Sequence, residues 1–371
     1  MRILKIYIHA NCQGAALARL MSETRPDDVQ VKYREVFSID IQTEFENFKS
    51  DIEEADVIIS QPVADNYRDV EWLSTDWLCH NRSSHSRLII VPAIYHRGQI
   101  PQCFPLKDFY DGRLAYHDAH AIDYFLEGKD VNSFLSDTQR SDFFQPDFVR
   151  SEAFLTTREL LRREHAAGCN VLVSDIIEAY STTDQPLFAV NHPSRAVLAT
   201  LGNRVLDMLG VEWRIPSAGA EVLDQIVIAP YLSAAIALGH EGTGLRLDEM
   251  RSQSTWESRA EYFSHVFDAY RAIGAERLRE AMSGNGELTA YLQRFRRSKG
   301  AVQFEDRRKL VESLYRTFLG REPNSGEVLH HLQSLESRGF DALVTVFPSS
   351  QEFHAAGGGR TLDARFPFNG D

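Results

Sequence analysis

The sequence predicts an α/β protein: a parallel sheet flanked by helices, with a small all-helical carboxy-terminal domain. Two observations support this fold class. Short apolar segments rich in β-branched residues recur through the first half of the 371-residue chain, and helix-like segments lie between several of them. Strands that alternate with helices form parallel sheets covered on both faces. The last unit, over about 305–356, has a helical pattern of apolar residues.

The individual elements follow from the position of each apolar run. Strands are predicted at residues 2–8, 29–36, 55–60 and 87–94, and helices between them at 13–22, 42–53 and 66–79. Residues 118–182 are predicted to be mainly helical. Within 186–210 we expect a short strand, a polar turn and an amphipathic helix, and residues 255–296 are again predicted as helix.

The predicted domains divide the chain near residue 300. Residues 1–300 form the main domain, 305–356 the small helical domain and 357–371 a flexible tail. The stretch RFRRSKGAVQFEDRRK at 294–309 is highly charged and contains few apolar residues. We therefore expect a linker there.

Composition narrows the range of functions. The net charge is −13, which disfavours general attraction to nucleic acid or to anionic membranes. No apolar run approaches the ~20 residues of a membrane-spanning helix, and the amino-terminal segment MRILKIYIHANCQG lacks the features of a signal peptide. A cytoplasmic protein is predicted. The four cysteines are widely spaced, which disfavours a disulfide framework or structural zinc.

Polar turns follow the first, third and fourth predicted strands. They are Asn11-Cys12-Gln13-Gly14, Ser60-Gln61-Pro62 and Tyr95-His96-Arg97-Gly98. Parallel sheets bind ligands beyond the carboxyl ends of their strands. The sequence therefore predicts a binding or catalytic site at this edge.

Cys12 is the candidate nucleophile, because it lies between a strand and the start of a helix. The helix dipole is expected to lower the pKa of its thiol. Asn11 and Gln13 add amide groups, and Gly14 would let the backbone approach a ligand closely. The alternative is a buried cysteine that acts as a small apolar residue. A cysteine phosphatase is disfavoured, because six residues rather than five separate Cys12 from Arg19.

A cysteine nucleophile needs a base and an oxyanion hole. His192, in VNHPS, follows a strand and precedes a helix, and His117 and His120 are further candidates. The alternative for His192 is an incidental place in a helix-capping turn. The spacing of His117 and His120 suits a metal, but no third ligand is evident. Gln61 and the Ser60 backbone are placed to form the oxyanion hole; otherwise SQPV merely ends a strand.

The order of these features resembles SGNH/GDSL-type hydrolases and acetyltransferases, with cysteine in place of serine. The closer resemblance, over roughly residues 3–235, is to WcbI-like polysaccharide-biosynthesis acetyltransferases. It is carried by NCQG at 11–14, SQPVADNYR at 60–68, VPAIYHRGQIP at 91–101, YHDAH at 116–120 and FAVNHPS at 188–194.

The resemblance implies an SGNH-like cytoplasmic enzyme that transfers acetyl from acetyl-CoA to a sugar hydroxyl of a capsule or surface glycan precursor. It implies no metal. Cys12, Gln61 and His192 match family positions. SGNH enzymes usually place an aspartate three residues before the histidine, where this chain has Ala189. Asp118 is a candidate replacement, and His117 and His120 remain rival bases.

In the implied mechanism His192 takes a proton from Cys12 or from the sugar hydroxyl. The candidate cofactor-binding residues are Gly14, Ser60, Arg68, Tyr95 and Arg97. Among these, Arg68 and Arg97 are candidates for the cofactor phosphates. The alternative for both arginines is an ordinary position on the solvated surface.

Residues 310–353 resemble the small helical domain related to phycobilisome-linker repeats, with LGREPNSGE as the most recognisable segment. This resemblance implies docking or oligomerisation. For the main domain two alternatives to acetyl transfer remain: a thiol esterase or deacetylase that uses water as acceptor, and a non-catalytic module that binds glycan or nucleotide.

Overall fold

The computed structural model describes residues 3–106, 114–181, 185–240, 247–252, 255–299 and 304–335. Backbone contacts divide the chain into two compact units. The first unit is formed by segments within 1–103, 155–230 and 242–262, and the second by segments within 104–154, 231–241 and 263–335.

The strands lie mainly in the first half of the chain. They are β1 Leu4–Ala10, β2 Val29–Glu35, β3 Val57–Ser60, β4 Arg87–Ile90, β5 Cys103–Phe104, β6 His117–Asp118, β7 Leu187–Ala189, β8 His192–Pro193, β9 Glu249–Ser252 and β10 Thr255–Ser258.

Helices separate and follow these strands. They are α1 Cys12–Thr24, α2 Phe45–Glu54, α3 Thr75–Asn81, α4 Ala119–Leu126, α5 Val131–Thr138, α6 Pro146–Ala166, α7 Ser174–Tyr180, α8 Arg195–Leu209, α9 Leu232–Ala237, α10 Arg259–Ile273, α11 Ala275–Gly284, α12 Gly286–Lys299 and α13 Phe304–Leu319. Residues 325–335 are also helical, and 3₁₀ turns occupy Tyr67–Asp69 and Glu71–Leu73.

The main sheet of the first unit is parallel, with strand order β2-β1-β3-β4 among the described residues. Alternate residues of β1 serve two different cores, as the two-residue period of a strand requires. Ile6 and Ile8 pack with α1 and α8, whereas Tyr7 packs with α2 and α3. The predicted α/β class with a parallel sheet flanked by helices is confirmed.

Two glycines allow α1 to pack closely. A Cβ atom at Gly14 would lie 2.5 Å from the Ala10 Cβ, and one at Gly202 of α8 would lie 2.9 Å from Leu17 Cδ1. Gly14 therefore permits the helix to lie against its own strand. This contact gives a structural reason for Gly14, and its predicted role in close approach to a ligand stays a prediction.

The second unit has an aromatic core. Tyr231 and Phe144 stack with ring centroids 5.2 Å apart, and Phe134 meets Phe263 edge-on at 4.6 Å. A smaller cluster joins Phe154 to residues of α13 and of the helix at 325–335. The predicted helical carboxy-terminal region is thus confirmed over the described residues.

Three local predictions were wrong. The charged stretch at 294–309 is helical at both ends, because α12 continues to Lys299 and α13 begins at Phe304; arginine, lysine and glutamate are good helix formers. Residues 255–258 form β10 rather than helix. The segment predicted as one helix at 66–79 begins with 3₁₀ turns, and only its end is α-helical.

The predicted division into domains is a separate question. The boundary near residue 300 and the tail at 357–371 lie outside the described residues. The same is true of much of the segment that resembles a phycobilisome-linker repeat. The domain boundaries and the docking role of this segment stay predictions.

Candidate active site

Helix α1 begins at Cys12 because Asn11 caps it. The Asn11 Oδ1 accepts a hydrogen bond from the Gln13 N–H at 2.9 Å, and the Asn11 carbonyl accepts one from the Gly14 N–H at 2.8 Å. An amide side chain that satisfies a first-turn donor is a favourable helix N-cap. This cap places the Cys12 thiol at the carboxyl edge of β1, as the sequence predicts.

A pair of buried glutamine amides organises the edge. The Gln61 Nε2 donates to Gln13 Oε1 at 2.8 Å and to the Pro92 carbonyl at 3.3 Å. The Gln61 Oε1 in turn accepts a hydrogen bond from the Asn11 N–H at 3.0 Å. Both side chains are almost fully buried. The turn that carries Cys12 is therefore fixed to the turn after β3.

Gln13 extends this network to the remaining strands of the edge. Its Nε2 donates to the carbonyls of Ile94 at 2.7 Å and Asn191 at 2.8 Å, and its Oε1 also accepts from the Ile94 N–H at 3.0 Å. The His96 N–H donates to the Val190 carbonyl at 2.7 Å. Four of the five motifs singled out in the sequence are thus joined within the first unit. We call this set of hydrogen bonds the amide network.

The pKa of the Cys12 thiol is higher than the sequence suggests. Burial and, to a smaller extent, the negative charge of Glu35 raise its pKa from 9.0 to about 11. The backbone N–H groups of Gln13 and Cys12 act in the opposite direction, but they do not overcome the first two effects. The expectation that the helix terminus lowers this pKa was therefore wrong, because desolvation of the thiolate is the larger effect.

His192 lies next to Asn191 at the other end of the amide network. Burial lowers the pKa of its imidazole below 6.5, and backbone carbonyls of Ile226 and Leu223 partly offset this change. The ring is thus neutral near pH 7. The helix-capping role belongs to Ser194, whose Oγ accepts a hydrogen bond from the Val197 N–H at 3.4 Å.

Gln61 is poorly suited to the predicted oxyanion role. Both hydrogens of its amide are already donated to Gln13 and Pro92. Ser60 is buried, and its Oγ donates to the Gln61 carbonyl at 2.8 Å. Both residues therefore support the turn. The Asn11 Nδ2 donates no hydrogen bond among the described residues, and its side chain is partly exposed.

The arginines predicted to bind cofactor phosphates are engaged in the fold. The Arg68 Nη1 donates to the carbonyls of residues 36, 37 and 39, most closely to Ile39 at 2.6 Å. Arg97 is buried, and its Nη1 donates to the Pro101 carbonyl at 2.7 Å. The alternative of a solvated surface position is therefore wrong for Arg97, and the phosphate-binding role of both arginines stays a prediction.

Arg163 of α6 was missed by the sequence analysis. Its Nη2 donates to the Tyr95 carbonyl at 2.7 Å, and its guanidinium lies 5.8 Å from the centre of the Tyr95 ring. Arg163 and Arg97 both lower the pKa of His96, which falls to about 3 mainly because of burial. Local sequence carries no signal for this position, because the contact joins residues 68 apart.

The rival bases His117 and His120 lie in the second unit, in hydrogen bonds with tyrosines. His117 Nδ1 is 3.2 Å from the Tyr270 hydroxyl, and His120 Nε2 is 2.8 Å from the Tyr291 hydroxyl. Among the described residues, no three His, Cys, Asp or Glu side chains are grouped to hold a metal.

Asp118, the candidate partner for His192, has structural partners in the second unit. Its Oδ1 accepts hydrogen bonds from the backbone N–H groups of His120 and Ala121 and so caps α4. The Tyr231 hydroxyl donates to its Oδ2 at 2.6 Å. These contacts account for the aspartate in the YHDAH motif without a role at the imidazole of His192.

Comparison with known proteins gives the family. The family model "Polysaccharide biosynthesis enzyme WcbI" matches residues 5–214, more than half of the chain and all of the amide network. The chain belongs to the WcbI family. A search of curated proteins finds no match. The protein is therefore an enzyme of polysaccharide biosynthesis, and its resemblance to SGNH enzymes stays a prediction.

A solved structure of WcbI has the same fold. The two structures align with a TM-score of 0.69 and 17% sequence identity, over 79% of this chain and 99% of that one. That structure is described as the native protein without a disulfide bond between coenzyme A and one of its own cysteines. In this WcbI-family chain, no described helix is both long and apolar enough to cross a membrane.

Proposed function

We propose that the protein is a cytoplasmic acetyltransferase, which moves the acetyl group of acetyl-CoA to a sugar hydroxyl during synthesis of a capsular or surface polysaccharide. Membership of the WcbI family supports the biosynthetic role. The similar WcbI structure is described with reference to coenzyme A, which supports acetyl-CoA as the donor. The sugar acceptor and the acetyl group follow from the resemblance to WcbI-like acetyltransferases.

The observation that carries the proposal is the hydrogen bond from Gln13 Nε2 to the Asn191 carbonyl. It fixes the turn that carries the thiol of Cys12 to the turn that carries the imidazole of His192. A nucleophile and a base held on neighbouring rigid turns are the groups that acyl transfer requires.

The protonation states favour a neutral thiol and a neutral imidazole. With a pKa of about 11, Cys12 is almost wholly protonated near pH 7. His192 is unprotonated there and can accept a proton.

In direct transfer, the oxygen of the sugar hydroxyl attacks the thioester carbonyl while His192 takes the proton of that hydroxyl. The proton then passes from His192 to the departing CoA sulfur. In the covalent route, His192 first takes the proton of Cys12, and the Cys12 sulfur attacks the thioester carbonyl. CoA leaves as its thiol with that proton. The sugar hydroxyl then attacks the Cys12 thioester, and its proton passes through His192 to the Cys12 sulfur.

The developing oxyanion needs donors, and Asn11 is the best placed. Its Nδ2 is uncommitted among the described residues, whereas the Gln61 amide is already donated. We therefore assign the oxyanion donor to Asn11 and a positioning role to Gln61 and Gln13. Loss of one such donor raises the barrier by about 3 kcal/mol. For the donor phosphates we assign the Tyr95 turn and Arg163, whose half-buried guanidinium also pairs with Glu159 at 3.7 Å.

The test is acetyl transfer from acetyl-CoA to a panel of methyl glycosides and nucleotide sugars, followed by mass spectrometry of the acceptor. We expect acetylated sugar with the wild type and with Cys79→Ala, which removes an exposed cysteine as the matched control. Cys12→Ala should lose the transfer if the acetyl group passes through a Cys12 thioester, and should retain it if the transfer is direct. Release of CoA with no acetylated sugar would instead identify a thioesterase, and no reaction would contradict acetyl transfer.

The pH dependence of kcat/KM separates the two possible activated forms. If His192 acts as base, the rate falls only below pH 6.5, because burial lowers the pKa of its imidazole. The rate is then flat between about pH 7 and pH 9. If a pre-formed Cys12 thiolate were required, the rate would rise roughly tenfold per pH unit over that range, toward the pKa of about 11.

A further inference from the structure

Glu35 brings a negative charge to the Cys12 flank of the site. It is the last residue of β2 and the register partner of Ala10, two residues before Cys12. The next residue, Val36, donates its N–H to the Ala10 carbonyl at 2.9 Å, so the two chain ends stay together beyond the sheet. Register partners in a parallel sheet direct their side chains to the same face. Ala10 and Cys12 both pack in the core on the α1 face.

This carboxylate is not neutralised by the fold. Among the described residues, the Glu35 side chain accepts no hydrogen bond and forms no ion pair, and it is only half-buried. Its charge acts on the thiol, since it is the second cause of the raised pKa of Cys12. An unpaired carboxylate beside a candidate nucleophile is available to a ligand.

The other end of the same edge carries two arginines, of which Arg163 pairs with Glu159 at 3.7 Å. The sheet order is β2-β1-β3-β4, so Glu35 and the loop after β4 lie on opposite sides of β1. That loop carries Arg97, and Arg163 of α6 donates to its Tyr95 carbonyl. With strands ~4.8 Å apart, the two ends of the edge are separated by roughly 14 Å. The Glu35 carboxylate and the two arginines therefore lie toward opposite ends of the edge, with the Cys12 turn between them.

We propose that Glu35 forms the acceptor subsite: its carboxylate binds hydroxyl groups of an uncharged sugar and excludes anionic sugars, while the phosphates of the donor bind toward the β4 end. The proposal rests on the acetyl transfer proposed above. Hydroxyl groups donate to a carboxylate in charge-assisted hydrogen bonds, which are stronger than neutral ones. Phosphates and uronic acids are repelled by the same group.

The first test compares two acceptors, methyl glucoside and methyl glucuronide, in the wild type, Glu35→Gln and the exposed control Glu46→Gln. Glu35→Gln should raise the KM for the neutral acceptor roughly tenfold and leave the KM for acetyl-CoA unchanged. The preference for glucoside over glucuronide should fall by a similar factor. An unchanged preference, or a change in the donor KM alone, would overturn the assignment. If the wild type transfers to neither sugar, the panel described above tests acetyl transfer and the alkylation experiment below tests the subsite.

The second test needs no turnover. The rates of Cys12 alkylation by neutral iodoacetamide and anionic iodoacetate are compared by mass spectrometry at low ionic strength. Glu35→Gln should raise the iodoacetate rate relative to the iodoacetamide rate about fivefold, because the repulsion is removed. Glu46→Gln should leave the ratio unchanged. An equal ratio in all three proteins would show that Glu35 does not control charge at this site, and would overturn the subsite.

Discussion

The two units of the molecule hold their buried polar groups in different ways. In the first, the amide network joins backbone turns, so that Gln13 and Gln61 hydrogen-bond mainly to main-chain groups at the edge of the sheet. In the second, His117 and His120 hydrogen-bond to tyrosine hydroxyls inside an aromatic core. The first arrangement fixes the positions of loops, and the second fills a core.

This difference indicates which histidine can act as a base. His192 lies beside the amide network, where a neighbouring turn presents a thiol and an uncommitted amide. The imidazole of His120 instead meets Phe295 at a centroid distance of 4.3 Å and Phe143 at 5.1 Å. We therefore assign the base to His192 and structural roles to His117 and His120. The following predictions test this contrast.

The largest effect is expected from loss of the base. His192→Ala should lower kcat for acetyl transfer by about a thousandfold, within the usual range for general base catalysis. His120→Gln should change kcat less than about threefold at temperatures well below its unfolding transition. Steady-state kinetics and melting curves of both variants provide the comparison. Equal losses of kcat, or a larger loss in His120→Gln, would move the base to the second unit.

Disruption of the amide network should have the next largest effect. Gln61→Leu keeps the approximate volume but leaves the Asn11 N–H without its acceptor and removes one of the two donors to the Gln13 Oε1. We expect the free energy of unfolding to fall by about 3 kcal/mol, because buried polar groups lose their hydrogen bonds. Urea denaturation measures this change. The exposed Gln42→Leu is the control, and a comparable loss there would refute the special role of the network.

Acid should destabilise the first unit through His96. Its pKa is about 3 in the folded protein and 6.5 when exposed, so the folded state disfavours the protonated form. Stability is complete above pH 6.5 and is lost as the pH falls toward 3. Between pH 8 and pH 5 the loss from this group is about 2 kcal/mol. His96→Gln should remove that part of the pH dependence, whereas the exposed His80→Gln should not; unfolding curves at the two pH values decide.

The smallest effect is expected in the aromatic core. Tyr291→Phe removes the hydroxyl that lies 2.8 Å from His120 Nε2 and leaves the ring in place. We expect a loss of about 1 kcal/mol in the free energy of unfolding, as for one neutral buried hydrogen bond, and unchanged kcat. A large fall in kcat with normal stability would show that the second unit takes part in the chemistry.

Periodicity was sufficient for the strands and helices around Cys12, because a parallel sheet needs long apolar runs with polar turns at one edge. The motif order also predicted that the turns at Cys12, Gln61, His96 and His192 would meet. Local sequence could not predict which hydrogen-bond partner each side-chain amide takes. Whether Gln61 donates to a ligand or to Gln13 depends on a partner 48 residues away.

The pKa of Cys12 and the pairing of charged side chains were the properties least predictable from the sequence. The helix terminus at Cys12 suggests a lowered pKa, but the direction depends on burial and on Glu35, which the sheet register brings close. Charged runs were similarly ambiguous. The stretch at 294–309 has the composition of a linker, yet Arg294 pairs with the buried Glu152 within the second unit. Such pairings depend on tertiary structure.

We propose that the edge at Cys12 binds the acetyl-CoA donor, and a calorimetric titration with CoA under reducing conditions tests this most directly. We expect a micromolar Kd for the wild type. We expect no binding by Cys12→Trp, a variant that fills the edge, provided that its melting curve shows a folded protein. Absence of binding to folded wild type, or undiminished binding to Cys12→Trp, would contradict the account.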